Sequence, residues 1–459
     1  MFAFLFQDKE FYQKMFSLAI PIAIQTLLIS SLNMVDSMMI GQLGVASIAA
    51  VGAANKISSL LIVVMHGFST GAAIFTAQYW GKRDTAGIKK ILALTFVVMT
   101  VITLLFTTIL LFFTESFMAI FTADPAVISI GSSYLSVVAF SYIVTAMTVL
   151  FSTVLKSMGE VKRPLYISVG AIGLNTLLNY LLIFGSFGFP EWGVEGAAIA
   201  TLISRIIQAL FMTWLLVKYL SLKFSRESLG AFDLSLAKVF FAVTVPSIIN
   251  HVLWTLGETS FFWVYAQMGT SQLAAATLVD PLIFVFTALF VGLSDASTVM
   301  VGNNIGAGEK DKGFRYAKTF LVLSVLLSIV LGVAVTIISP FFISIYDVTE
   351  FVASQAQYIL LIFAVMMAPR IINMINNVGV LRAGGDTKFV MYLDLFGVWG
   401  VGFPLAAIGA FVFEWPVYIV FLLANVHEVV RAIVGVRRTL SRKWMNNVIE
   451  EKEQIDVAK

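Results

Sequence analysis

The fold is decided by a stretch that occurs twice in the chain: PIAIQTLLISSLNMVDSMMIGQLGVASIAAVGAANKISSLLIVVMHGFSTGAAIFTAQYWG, residues 21–81. Moved forward by 225 positions without a gap, this stretch matches the second half of the chain at small residues and at a proline. The matching pairs are Pro21 with Pro246, Gly44 with Gly269, Ala49 with Ala274, Ala50 with Ala275, Gly67 with Gly292, Ser69 with Ser294, and Gly81 with Gly306. The chain is therefore predicted to contain two copies of one half.

A second register, offset by 226 positions, extends the duplication beyond residue 150. It aligns Leu155, Lys156, Gly159, Glu160 and Lys162 with Leu381, Arg382, Gly385, Asp386 and Lys388. Paired halves in an apolar chain are typical of transporters whose substrate path lies between the halves.

The composition places the chain in a membrane. Hydrophobic residues make up 59% of the 459 residues, charged residues only 12%, and the mean hydropathy is +0.94. Soluble domains are closer to 45–50% apolar and about 25% charged. The net charge of +3 comes from basic residues spread over short loops, which argues against a nucleic-acid partner. No cysteine is present, so disulfides and thiolate metal sites are excluded.

Twelve apolar runs are long enough to cross a bilayer, which takes about 20 residues as a helix. The predicted spans are 16–41, 49–78, 90–114, 128–152, 164–187, 193–217, 239–267, 275–303, 316–340, 352–380, 388–412 and 416–436. The sequence thus predicts an all-α polytopic membrane protein. The predicted domains are an N-lobe at 1–220, a linker at 221–238, a C-lobe at 239–445 and a tail at 446–459.

Basic residues alternate between loops and predict the orientation. Lys82 and Arg83 follow the second span, Lys162 and Arg163 the fourth, and the intervening loops carry acids without Lys or Arg. By the positive-inside rule both termini, the linker and the tail are expected in the cytoplasm, with the protein in the plasma (inner) membrane. Six crossings separate the matched segments, so the two six-helix repeats are expected to run parallel around a central cavity.

Four polar residues of the first half are expected at a similar depth in the membrane. Asp36 lies five residues before Gly41, and a carboxylate within a span marks a function by default because insertion costs about 2.5 to 3.5 kcal/mol. Asn175 and Asn179 are one helical turn apart, and Thr201 lies on the next helix. One carboxylate, two amides and a hydroxyl form an oxygen-rich site for a proton or Na⁺. Alternatively, each of these amide and hydroxyl groups forms a hydrogen bond that holds two helices together.

The second half does not repeat this pattern. Asp36 aligns with Phe261, whereas Asn33 aligns with Glu258, so the acidic group is displaced by one turn. Glu258, with Asn250 and His251 on the same helix and Asn33 at the equivalent position of the first half, is a candidate substrate site or second proton site. The alternative is a glutamate hydrogen-bonded to a neighbouring helix. Arg205 and Arg370 are further cations within spans, and their partners are not evident from the sequence.

Other chemistries are disfavoured. The three histidines show no metal-ligand spacing, and no nucleotide loop or catalytic triad motif occurs. We therefore expect neither an enzyme nor a cofactor, with H⁺ or Na⁺ as the coupling ion and Asp36 as the location of any Na⁺.

The segments VDSMMIGQLG, AAVGAANKI, TAQYWGKRD, LKSMGEVKRP and LNTLLNYLLIFG, in this order, resemble the MATE family of multidrug and toxic compound extrusion transporters, prokaryotic type. The resemblance spans all twelve helices. It implies two six-helix lobes, alternating access, and export of amphipathic, often cationic organic compounds in exchange for H⁺ or Na⁺. It also implies cation coupling at Asp36, Asn175, Asn179 and Thr201. Some relatives carry aspartate where this chain has Asn179.

Three functions follow as hypotheses: a drug antiporter with Asp36 as the coupling group, a flippase for a lipid-linked oligosaccharide or lipid, and a receptor or channel without coupled transport. Twelve spans with few buried cations favour the antiporter over the flippase. We expect a monomer whose partners are small organic substrates and the lipid bilayer.

Overall fold

Twelve helices that are long and apolar enough to cross a membrane dominate the structure, a computed structural model that describes residues 8–220 and 234–450. This number within the described ranges confirms the all-α polytopic prediction. The helices are α1 Lys9–Gly41, α2 Val45–Gly81, α3 Thr85–Phe112, α4 Pro125–Ser157, α5 Lys162–Phe184, α6 Gly193–Leu220, α7 Leu234–Gln267, α8 Thr270–Gly306, α9 Lys310–Ile343, α10 Glu350–Leu381, α11 Thr387–Phe411 and α12 Val417–Leu440. Most of the predicted linker, and the tail after residue 450, lie outside the described residues.

The predicted beginning of the first span, residue 16, was wrong because the helix begins at Lys9. The charged residues near the N-terminus end the apolar run, but they do not end the helix. Phe11 is almost fully buried there, with its ring 4.9 Å from that of Tyr316 and 5.1 Å from that of Phe320. These edge-on aromatic contacts with α9 stabilise an additional helical segment that hydropathy alone does not reveal.

Turns after equivalent helices have the same backbone conformation in both halves. Gly44 and its repeat partner Gly269 have φ of 104° and 118°, and Gly159 and Gly385 have φ of 89° and 72°. Positive φ of this size favours glycine because other residues carry a Cβ that clashes with the backbone. The repeated glycines are therefore explained by turn geometry, which the first half and the second half share.

Two helices of the second half contain π-helical segments, Asn373–Leu381 in α10 and Phe396–Gly402 in α11. Such wider turns often occur at functional sites. Gly397 lies against the aliphatic part of Arg431, where a Cβ would overlap the arginine side chain. The wide turn and the glycine together leave space for a large charged side chain from α12.

The contacts divide the chain into two compact units. One comprises the described residues of Met1–Ala23, Ala77–Arg83 and Val239–Lys459; the other comprises Ile24–Thr76 and the described residues of Asp84–Lys238. The N-terminal part of α1 and the last residues of α2 thus belong to the unit that contains the second half. The lobe boundaries inferred from the repeat stay a prediction.

The first of these units contains a close helix crossing between two repeat-related glycines. A Cβ on Gly81 would overlap the carbonyl oxygen of Asn303, and a Cβ on Gly306 would overlap the carbonyl oxygen of Gln78. Gln78 itself donates to the Ala383 carbonyl oxygen at 2.9 Å. Small residues permit this close backbone contact. Such packing is the main source of helix association in a membrane, because lipid leaves no hydrophobic driving force between helices.

We expect Gly306→Ala to destabilise the protein by about 1 to 3 kcal/mol, because the added methyl group meets backbone atoms that cannot rotate away. The matched control is Gly170→Ala, since no atom lies within 4 Å of a Cβ at that position. Thermal denaturation of both purified variants measures the difference. Equal melting temperatures would contradict the proposed close contact.

Candidate functional site

The unit that contains Ile24–Thr76 encloses a polar cavity of about 370 Å³. Helices α1, α2, α4, α5 and α6 each contribute side chains to its wall. The polar residues among them are Asn33, Asp36, Ser37, Asn55, Ser58, Tyr134, Ser141, Tyr142, Thr145, Ser168, Asn175, Asn179, Thr201, Ser204, Arg205 and Gln208. The structure therefore brings together the four residues predicted to couple cations, although their role stays a prediction.

Hydrogen bonds connect these four residues across three helices. Asn179 Nδ2 donates to Asp36 Oδ1 at 2.6 Å and to Asn175 Oδ1 at 3.2 Å. Asn175 Nδ2 in turn lies 3.4 Å from Thr201 Oγ1 and 3.3 Å from Ser204 Oγ. The one-turn spacing of the asparagines places both amides on the face of α5 directed at α1 and α6.

One acceptor in this network remains unsatisfied. Asn179 Oδ1 is buried and has no hydrogen-bond partner among the described residues. A buried carbonyl oxygen without a partner is costly, by about 1 to 3 kcal/mol. An oxygen of this kind beside a carboxylate is a suitable ligand for a hard cation or for a protonated group.

The sequence reasoning missed how α6 contributes a cation to the same cavity. Arg205 lies one turn after Thr201, so both side chains are on the cavity face of the helix. Its Nη1 donates to Gln208 Oε1 at 3.0 Å. Gln208 and Gln25 both donate to Ser168 Oγ, at 3.3 Å and 2.8 Å. The i, i+4 spacing from Thr201 was the signal that could have assigned Arg205 to this site.

A second cavity, of about 240 Å³, lies within the other unit. Glu258 of α7, Asp280 of α8 and Arg370 of α10 line it, together with His427 and Glu428 of α12. Its apolar and aromatic side chains are Phe261, Phe262, Tyr265, Ala276, Ile283, Phe421 and Ala424. Acidic and aromatic groups in one small cavity are suited to a cationic group.

A buried ion network lies next to this second cavity. Arg431 Nε donates to Asp394 Oδ1 at 2.8 Å, and Arg431 Nη1 donates to Glu428 Oε2 at 3.1 Å. All three side chains are nearly inaccessible. Asn373 Nδ2 donates to Glu428 Oε2 at 2.6 Å, from the first residue of a π-helical segment. The arginine is thus compensated by two carboxylates in a fully hydrogen-bonded arrangement.

The residues that the sequence grouped with Glu258 have different surroundings within their own units. Asn33 lines the first cavity, whereas Glu258 lines the second. Asn250 belongs to the ion network, because its Nδ2 donates to Asp394 Oδ2 at 2.7 Å and its Oδ1 accepts from Arg382. His251 follows Asn250 on α7 and does not line either cavity. The charged residues that line the cavity with Glu258 are Asp280, Arg370 and Glu428, and a joint role of Glu258, Asn250, His251 and Asn33 stays a prediction.

Within residues 8–220 and 234–450, no group of three or more His, Asp or Glu side chains is arranged to hold a metal ion. His427 instead forms a hydrogen bond within its own helix, since its Nδ1 lies 2.6 Å from the Ala424 carbonyl oxygen.

Twelve candidate spans, an internal duplication and a polar cavity within each unit define a polytopic membrane transporter. The chain belongs to the MatE family, whose sequence profile matches residues 21–181 and again residues 246–408. The two matches begin at Pro21 and Pro246, the first matched pair of the internal repeat.

Two relatives match this chain over nearly its whole length. "Uncharacterized transporter YisQ" of Bacillus subtilis is 26% identical over 444 residues, which cover 95% of this chain and 96% of the relative. "Probable multidrug resistance protein NorM" of Thermotoga maritima is 24% identical over 450 residues, covering 97% and 96%. The Vibrio cholerae MATE transporter VcmN has a TM-score of 0.83 at 19% identity, covering 96% of this chain and 98% of its own. This last likeness shows a shared fold.

We expect Asp394→Asn to destabilise the protein by about 3 to 5 kcal/mol, because it leaves the buried Arg431 charge without its main partner. The control is Asp311→Asn, which breaks an exposed pair with Arg442 and should cost about 1 kcal/mol or less. Thermal denaturation of the two variants in the same detergent provides the comparison. An Asp394→Asn protein as stable as the control would show that the network is not needed for stability.

Proposed function

We propose that the protein is a secondary active efflux antiporter that exports amphipathic, often cationic organic compounds in exchange for H⁺ or Na⁺ by alternating access. The observation that carries this proposal is the Asp36 carboxylate, which faces a polar cavity from a membrane-spanning helix and accepts a 2.6 Å hydrogen bond from Asn179. A carboxylate within a membrane-spanning helix costs free energy of insertion, and its presence there therefore indicates a function. The multidrug resistance proteins among the relatives support the assignment of exported compounds.

Exchange follows from competition for one carboxylate. The Asn179 amide occupies one lone pair of Asp36 Oδ1, and the remaining lone pairs can accept a cationic group of a substrate. A proton that binds Asp36 removes the negative charge and with it the attraction for that group. Organic cation and proton therefore exclude one another, which is the requirement for antiport.

Na⁺ would act in the same way through more ligands. Asp36, the Asn179 carbonyl oxygen without a partner, and Thr201 are the residues that would hold it. An aspartate in place of Asn179 would add a second charge, so this chain offers Na⁺ a weaker site than a two-carboxylate arrangement. A proton needs only Asp36, and this difference makes H⁺ the favoured coupling ion.

Glu258 is proposed as a second site for a proton or a substrate cation. It shares its cavity with Asp280, Glu428 and Arg370, so three carboxylates and one guanidinium line it, and Glu428 is already paired with Arg431. The protein is further proposed to reside as a monomer in the plasma membrane, with both termini in the cytoplasm as the distribution of basic loops indicates.

We expect Asp36→Asn to abolish gradient-driven transport, because an amide binds no proton at neutral pH and carries no negative charge to attract a cation. Proteoliposomes containing the purified protein, loaded with a fluorescent organic cation, are given an imposed proton or sodium gradient. The wild type should transport at a rate well above empty liposomes with one of these gradients. The Asp36→Asn protein should match empty liposomes with either.

The matched control is Glu195→Gln, which removes an exposed carboxylate from the first turn of α6. It should transport like the wild type. Undiminished gradient-driven transport by Asp36→Asn would exclude Asp36 as the coupling carboxylate, and transport indifferent to both gradients in the wild type would exclude antiport.

A further inference from the structure

Arg205 and Arg431 occupy equivalent positions of the two repeats. They are 226 residues apart, the offset that also aligns Lys162 with Lys388. Each arginine lies on the sixth helix of its half, on α6 and on α12. A comparison of the residues around the two arginines therefore shows how the two halves differ.

In the second half the arginine is neutralised. Arg431 forms ion pairs with Asp394 on α11 and Glu428 on α12, and Asn250 on α7 donates to the same Asp394. No part of this charge remains available, since Arg431 is 2% exposed. The network connects α7, α11 and α12.

In the first half both carboxylates are missing at the equivalent positions. The 226-residue offset places Ser168 where the second half has Asp394, and Leu202 where it has Glu428. The scaffold of the network is nevertheless preserved, because Gln25 of α1 and Gln208 of α6 both donate to Ser168. Arg205 thus sits in a corresponding polar network from which the negative charges have been removed.

The guanidinium of Arg205 consequently has unused donors. It carries five N–H groups, and the one protein acceptor it contacts in the described ranges is Gln208 Oε1 at 3.0 Å. Within the same ranges it forms no direct ion pair with Asp36, although both side chains line the 370 Å³ cavity. Arg205 is partly exposed and lines the cavity, so its remaining donors are available to a molecule there.

The charge of the cavity then restricts what it can hold. With Asp36 ionised, Asp36 and Arg205 sum to zero. An organic cation would leave the cavity with a net positive charge and an organic anion with a net negative charge, and in a medium of low dielectric constant either is bound less favourably than a molecule that keeps the sum at zero. A molecule with one positive and one negative group keeps the sum at zero and finds an opposite charge for each group.

We infer that Arg205 determines substrate specificity by binding the carboxylate of a zwitterionic amphipathic substrate whose amine faces Asp36. This inference rests on the proposed function, because it takes the cavity around Asp36 to be the substrate site. Arginine suits the role, since its planar fork binds a carboxylate through two parallel hydrogen bonds. Protonation of Asp36 would remove the partner of the amine and release the substrate.

The test compares two probes that differ only at the acidic end: 6-(aminomethyl)-2-naphthoic acid, a zwitterion, and its primary amide, a monocation. Binding of each fluorescent probe to the full-length protein in nanodiscs is measured at neutral pH without any gradient. The wild type should bind the acid at least about tenfold more tightly than the amide, the factor expected for hydrogen bonds to a charged group.

Arg205→Gln should lose this preference by weakening the binding of the acid, while its affinity for the amide stays the same or increases. Arg205→Lys should keep part of the preference, because it retains the charge without the two-pronged geometry. The control is Lys218→Gln, which removes a positive charge from the same helix at a position that does not line the cavity and should preserve the wild-type preference.

Equal binding of the two probes by the wild type, or no binding of the acid, would overturn the inference, as would an Arg205→Gln protein that still prefers the acid. Lost preference in Arg205→Gln together with retained binding of the amide supports it and shows that this variant is folded. The proposed antiport is judged separately, by gradient-driven transport of a simple cation, so either conclusion can fail without the other.

Discussion

A charged side chain within a membrane-spanning helix must be compensated by an opposite charge or by a polar cavity, and this constraint organises both halves of the protein. Around Arg431 the second half meets it with ion pairs, which are buried and fully hydrogen-bonded. Glu258, Asp280 and Arg370 of the same half line a cavity. The first half meets it with a cavity, in which Arg205 and Asp36 face open space. The same position of the repeat therefore supports rigidity in one half and an accessible site in the other.

The two halves have kept what their backbones require and have diverged elsewhere. Gly44 and Gly269 share a positive φ, and Gly81 and Gly306 each lie against the backbone of another helix. A side chain at any of these positions would strain a turn or separate two helices. No comparable restriction applies to a polar side chain within a network, where one partner can be exchanged for another if the hydrogen bonds remain satisfied.

Much of the fold could be predicted because the determining signals are local. Apolar runs indicated all twelve helices, and the one-turn spacing of Asn175 and Asn179 indicated that both amides share a face. Long-range partners could not be predicted in this way. Asn250 was grouped with Glu258 by proximity on α7, yet its partner is Asp394, 144 residues further along the chain.

Other features of the fold could not be predicted for a related reason. The additional turns at the beginning of α1 depend on Phe11 packing against α9, a contact that no local pattern encodes. The π-helical segments also depend on tertiary context. Gly397 alone does not predict a wide turn, because its role depends on the bulky Arg431 side chain beside it. Residues whose conformation depends on distant elements are thus the ones that hydropathy and spacing describe poorly.

The exchange between Ser168 and Asp394 shows how a duplicated scaffold can divide its tasks. A carboxylate at this position immobilises the arginine of the following helix, whereas a hydroxyl accepts hydrogen bonds but leaves the arginine without an ion pair in the described part of the chain. Since the arginine is not deprotonated under ordinary conditions, its positive charge must be compensated by groups in the cavity. One difference on the fifth helix of a repeat therefore alters the electrostatics of the sixth, because a buried ion pair in one half corresponds to a cation that lines a cavity in the other.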